Sequence, residues 1–163
     1  MFGCRNGELR SAKKKDFDLK RKVWVVPVDN NKVGRKTGRE IIRPILPEME
    51  ELIVEAMAHN DTDYFLTNDN DVTPMGNGAS IALPGNIMER LRRHHNYHMN
   101  HWTLHDLRRT ARTNFSAFTS RDVAELMIGH VMSGEQGTYD YFDYIPQQTA
   151  AYEKWLEKVK NNY

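Results

Sequence analysis

The sequence predicts an α+β domain, mostly helical, with a small antiparallel sheet near its N-terminus. Three observations predict it. Stretches rich in β-branched and aromatic residues are concentrated within residues 15–45. From Pro47 onward, apolar residues recur at intervals of three and four, the period of a single helix face. With 163 residues, 39% hydrophobic and 28% charged, the chain has the size and balance of one folded domain with a real core.

Taken in order, the opening Phe2-Gly3-Cys4-Arg5-Asn6-Gly7-Glu8-Leu9 is hydrophobic and uncapped, which predicts a chain that begins inside a helix. Arg5 and Glu8, three apart, pair on one face of that helix. After the basic run Lys13-Lys14-Lys15, Val23-Trp24-Val25-Val26-Pro27-Val28 reads as a strand that Pro27 confines to an edge or ends early. Residues 40–45 read as its partner. Between them, Gly34 and Gly38 mark a hairpin whose tip bears Lys32, Arg35, Lys36 and Arg39. Pro47 starts a helix running to about residue 59. Residues 69–78 read as a turn-rich loop, and residues 87–95 as a helix carrying Arg90, Arg92 and Arg93.

The next helix starts at Thr103, whose capping box closes with Asp106. Leu107, Ala111, Phe115 and Phe118 form its buried stripe, while His105 and Arg108 share one face of the first turn. A second capping box at Thr119-Ser120-Arg121-Asp122 opens a helix with Val123, Leu126, Met127 and His130 inward. Residues 146–160 form a last amphipathic helix using Ala150, Ala151, Trp155, Leu156 and Val159.

Composition narrows the function classes. No apolar run approaches the length needed to span a bilayer, and no signal-peptide pattern opens the chain. The single cysteine, Cys4, excludes an internal disulfide framework, points to a reducing compartment and reads as a buried, inert thiol. Net charge is only +1, but it is unevenly spread. Residues 1–43 hold thirteen Lys/Arg against five Asp/Glu, residues 44–104 three against nine, and the remainder seven against eight. A basic end opposite an acidic one suits docking on a polyanion in one orientation.

Five of the seven histidines fall at positions 94, 95, 98, 101 and 105. They lack an HExxH pattern and partnering cysteines, so surface or phosphate-facing roles outrank a zinc site. Neither a Walker-type loop nor a G-x-S-x-G elbow is present. His105 with Arg108 at a helix start suits a phosphate: Arg forks onto two oxygens, His supplies a donor or a proton, and the helix dipole adds to both.

Beyond that pair, the chain contains Arg5 in G-x-R-x-x-E-L form, Lys36-Thr37-Gly38, the pair Gly129-His130, and Tyr139 nine residues later. Together these resemble the tyrosine recombinases, the phage-integrase family, in order and in near-family spacing over almost the whole chain. The resemblance implies the catalytic-domain fold of that family, here a fragment spanning residues 1–163 without the DNA-gripping domain and the first catalytic helices. It implies site-specific cleavage and rejoining of DNA strands through a 3′-phosphotyrosyl link. Arg5 and Arg108 would bind the phosphate oxygens, with Glu8 holding Arg5. Lys36 would protonate the leaving 5′-oxygen, with Lys32, Arg35 and Arg39 sharing its hairpin. His105 would serve as proton acceptor or donor, His130 would hydrogen-bond the phosphate, and Tyr139 would be the nucleophile, preferred by spacing over Tyr141 and Tyr144.

DNA contacts would come from Lys13, Lys14, Lys15, Lys32, Arg35, Arg39, Arg109 and Arg112. No metal or cofactor is called for. The implied partners are double-stranded attachment sites and further recombinase subunits, on which the C-terminal helix docks. The implied setting is cytoplasmic, nucleoid-associated, and bacterial or phage-encoded. Type IB topoisomerases share the residue set. A DNA-binding module with an inactive site, or an interaction domain whose basic hairpin binds an acidic protein, fits the same composition.

Overall fold

Trp24 lies fully buried at the centre of the molecule, and the layers form around it. The fold is seen in a computed structural model, which describes residues 1–68, 72–130 and 143–161. Strand β2 (Val23–Val26) carries Trp24 and runs antiparallel to both β1 (Phe17–Asp18) and β3 (Ile41–Pro44). The register sets Phe17 opposite Trp24 and Ile41 opposite Val26. Phe17 stacks on Trp24 with ring centroids 5.2 Å apart, and Phe65 closes on Phe17 at 4.5 Å. Both strands expected from the sequence are present in shorter form. Pro27 ends β2 and opens a 3₁₀ turn (Val28–Asn30).

The connection from β2 to β3 is a braced loop containing the short helix α2 (Gly34–Thr37). Asn31, fully buried, donates from Nδ2 to the carbonyls of Pro27 (3.1 Å) and Arg39 (3.2 Å), and its Oδ1 accepts from the Gly34 amide. A Cβ on Gly34 would meet Asn31 at 2.4 Å, so only glycine fits beneath that side chain.

The helices are α1 (Asn6–Arg10), α3 (Pro47–Met57), α4 (Asn77–His95), α5 (Leu104–Phe118), α6 (Arg121–Met127) and α7 (Ile145–Asn161). The inner faces of α5, α6 and α7 meet at Phe115, Val123, Ala124, Met127, Ala151 and Tyr152, all buried. Phe115 and Tyr152 pack edge to face at 5.4 Å. The helix expected as a docking tail is thus a core element of its own chain: α7 packs against α5 and β3, and Gln148 donates to the Ile42 carbonyl.

Several sequence expectations need correction. Residues 1–5 are not helical. Gly3 sits at φ +61, and Arg5 is extended (φ −73, ψ 145) as the residue capping α1. Helix α4 begins at residue 77 rather than 87, running through Gly78, Pro84 and Gly85. Burial explains the override: Pro84 is tucked inside, and Ser80 accepts a hydrogen bond from Asn6 Nδ2 at 2.9 Å, tying the early turns of α4 to α1. Leu107 is 54% exposed; Arg108 occupies the inner face of α5 instead. Helix α6 is capped by Ser120 rather than Thr119, and His130 lies beyond its end, exposed rather than inward.

Candidate active site

The capping of α5 follows the sequence closely. Thr103 Oγ1 accepts from the Asp106 amide (3.3 Å), and the Asp106 carboxylate accepts from the Thr103 amide (2.9 Å). This fixes the first turn and sends Arg108 inward. Arg108 Nη1 donates to the Gly3 carbonyl (2.8 Å), and its Nη2 meets His130 Nε2 at 3.2 Å. Gly3 is needed at that approach, because a Cβ there would come within 3.0 Å of Ala111.

His130 is placed by the end of α6. The Gly129 amide donates to the Leu126 carbonyl (2.8 Å) and the His130 amide to the Glu125 carbonyl (2.9 Å), a Schellman-type stop with Gly129 at φ +71. A Cβ on Gly129 would meet Ile41 Cδ1 at 2.6 Å and Arg43 Nη2 at 3.0 Å. The Gly-His pair therefore reflects two constraints, a left-handed turn and a close approach to β3.

Arg5 completes the cluster. Its Nη1 donates to Glu8 Oε1 (2.8 Å) and to the Gly129 carbonyl (2.8 Å), across 124 residues of sequence. Glu8 is 1% exposed and is further satisfied at Oε2 by Arg43 Nη2 (2.8 Å) and by the Arg5 amide (3.1 Å). Arg43 is fully buried under this carboxylate. Its Nε donates to the Met127 carbonyl (2.9 Å), and its guanidinium lies 5.1 Å from the Trp24 ring. A carboxylate so deeply buried requires such partners.

Arg5, Arg108 and His130 are thus drawn together around the Gly3 and Gly129 main chain. Burial, together with the positive charge of Arg5, pushes the Arg108 guanidinium below its ordinary value. Two guanidiniums whose charges act on one another favour an anion beside them. Cys4 packs against the core, and burial pushes its thiol up, away from reactivity.

Other expected residues are placed as follows. His105 is exposed and lines a separate cavity of about 430 Å³ with Asn6, Met88, His101 and Trp102. Lys36 stands exposed on α2 and, among the described residues, touches none of Arg5, Arg108 and His130. Tyr139 and its competitor Tyr141 lie outside the described residues. Tyr144, the second residue of the last described segment, sits at φ 51. Of the remaining phenols, Tyr152 donates to the Phe2 carbonyl (3.2 Å), and burial pushes it far up, so it is a packing residue.

Among the basic residues, Lys13 lies over Tyr64 (5.7 Å), Lys14 donates to the Asn60 carbonyl, and Arg35 to that of Asp29 (2.8 Å). Arg39 is half-buried, and Arg109 pairs with Asp106 (3.6 Å). Lys15 and Lys32 are exposed. Arg112 is committed to Glu125 (2.6 Å) rather than standing free. Among the described residues, no group of three His, Cys, Asp or Glu side chains is gathered as metal ligands would be.

With this geometry in hand, the solved structures give a clear match. The Tn1549 transposon integrase in complex with circular intermediate DNA superposes with a TM-score of 0.65 at 18% identity, covering 79% of this chain and 47% of the other. A second complex of that integrase gives 0.62 at 19% identity over 86% of this chain. The same integrase on transposon right end DNA gives 0.64 at 15% identity over 84% of this chain. The fold is that of the integrase's catalytic domain. The chain spans about half the length of these structures. No family model matches the sequence, and no curated protein matches it.

Sequence reasoning missed Arg43, Glu125 and Asn31. Arg43 did leave a signal, a lone charge in the apolar run Ile41-Ile42-Arg43-Pro44-Ile45. Glu125 lies five residues before His130 on the helix that delivers it, a spacing that places it beneath the following turn.

Proposed function

We propose that this chain carries the strand-transfer centre of a tyrosine-type DNA recombinase, acting on double-stranded DNA through a 3′-phosphotyrosyl intermediate. The observation that carries the reading is the convergence of Arg5, Arg108 and His130, from three distant parts of the chain, around the Gly3 and Gly129 main chain. The shared fold with a DNA-bound integrase supports it.

In this reading the scissile phosphate enters between the two guanidiniums, which fork onto its non-bridging oxygens and stabilise the charge that builds on them. Phosphate takes up Arg108 Nη2, now shared with His130, so the site is already organised before DNA arrives. The Tyr139 phenol attacks phosphorus, its proton passing to His105. The bond to the 5′-oxygen breaks, and Lys36 protonates that oxygen as it leaves. The ester formed conserves the energy of the bond broken, and a second copy of the chain on the DNA supplies the strand to be exchanged. Lys36, exposed on α2, and His105, at the mouth of the neighbouring cavity, reach the phosphate when DNA is bound.

A nicked duplex that loses its short 5′ fragment after cleavage traps such an intermediate. The expected result is a covalent protein–DNA band whose linked peptide maps to Tyr139 and which disappears in Tyr139→Phe. Absence of any adduct across a panel of duplexes that the protein binds would leave a DNA-binding module without chemistry. An adduct mapped to Tyr141 would move the nucleophile.

A further inference from the structure

Glu125 has no role in the chemistry above, yet both of its carboxylate oxygens are engaged beside His130. Its Oε2 lies 2.5 Å from His130 Nδ1, and its Oε1 accepts from Arg112 Nη2 (2.6 Å) and Nε (3.1 Å). On the opposite side of the ring, His130 Nε2 faces Arg108 Nη2 at 3.2 Å. A guanidinium has only N–H donors, and a carboxylate only acceptors. Both contacts are met at once by a single arrangement: a proton on Nδ1 given to Glu125, and a lone pair on Nε2 taking a hydrogen bond from Arg108.

We infer that Glu125, clamped by Arg112, is a positioning residue that holds the His130 ring in its Nδ1–H tautomer with Nε2 turned toward Arg108. The reaction step this serves rests on the strand-transfer reading; the tautomer itself rests on the contacts alone. The charged groups around the ring agree with it. Arg108 and Arg112 come from α5 and Glu125 from α6, while Arg5 donates to the Gly129 carbonyl and Arg43 to that of Met127 in the turn before it. The backbone assists, because the His130 amide donates to the carbonyl of the same Glu125. Glu125 thus fixes His130 twice, once through the main chain and once through the ring. An incoming phosphate that draws off Arg108 Nη2 leaves Nε2 aimed at the oxygens or at the reacting phenol, without any rotation of the imidazole.

Long-range ¹H–¹⁵N NMR of the imidazoles at about pH 8, where a free imidazole is neutral, reads the tautomer directly, with His130→Gln assigning the signal. The wild-type ring is expected to carry its proton on Nδ1. Glu125→Gln, whose amide oxygen still accepts, keeps that state, whereas Glu125→Ala admits the Nε2–H form. In the nicked-duplex assay Glu125→Ala slows adduct formation at least about tenfold at saturating DNA, and Glu125→Gln recovers most of the rate. A wild-type ring protonated on Nε2, or a Glu125→Ala ring unchanged in tautomer, overturns the inference. If wild type forms no adduct, the strand-transfer reading fails while the NMR result still decides the role of Glu125.

Discussion

Arg43 shows at the scale of one residue how this site is built from beneath. It touches Glu8 and the Met127 carbonyl from a fully buried position, so it braces both the carboxylate that holds Arg5 and the turn that delivers His130. Replacing one partner of a buried pair strands the other charge, so Arg43→Met is expected to cost about 3–5 kcal/mol of stability in urea unfolding. A loss below about 1 kcal/mol would mean that Glu8 finds other partners. The Arg5–Glu8 pair was legible because three residues along a helix start bring side chains together. Arg43 was not, since a lone charge on an edge strand ordinarily faces water. Here the Met127–Gly129 turn and α7 cover that face of β3, a tertiary fact that no local pattern carries.

Among the elements, α5 shows what a local signal fixes and what it leaves open. Its capping box could be read directly from Thr103 and Asp106, and Thr103→Ala is expected to cost about 1 kcal/mol, read from the thermal midpoint. Which face turns inward was not legible, because Leu107 and Arg108 are neighbours and hydrophobicity favours the leucine. The interior prefers Arg108 because the Gly3 carbonyl and His130 wait there for it. Leu107 instead lines a groove of about 530 Å³ with Leu104, Trp155 and Val159.

The tie between α5 and α6 is electrostatic and depends on pH. Burial works to raise the Glu125 carboxyl, but hydrogen bonds from Arg112 and His130 outweigh it and hold it below the usual range. A lowered folded-state value gives stability that is full above the ordinary carboxylate range and lost as pH falls through the lowered value. Glu125→Gln is therefore expected to cost about 0.5–1 kcal/mol at neutral pH, with the difference from wild type shrinking as pH falls below the ordinary carboxylate range. A constant difference across that window would assign the loss to packing.

For the whole molecule, the charge distribution was readable before any coordinates, and the small sheet with its helical body followed from two periodicities. The early turns of α4 were hidden, because glycine and proline signal breaks that burial against α1 overrides. So was the division of the basic residues. Arg112 and Arg35 are engaged within the chain, leaving Lys15, Lys32 and Lys36 exposed toward solvent. Duplex DNA binding is expected to fall steeply with salt, with a log–log slope of about −3 to −5 for a handful of neutralised phosphates. A flat response would remove the polyanion from the account.

The central claim is that Arg5 and Arg108, 103 positions apart in sequence, act on one phosphate. It is tested most directly by the rate of covalent attachment to a nicked duplex at saturating DNA, measured for Arg5→Ala and Arg108→Ala against wild type. Each variant is expected to lose about 10²–10³ in rate while its DNA affinity changes only a few-fold. Attachment at the wild-type rate by either variant would contradict the claim.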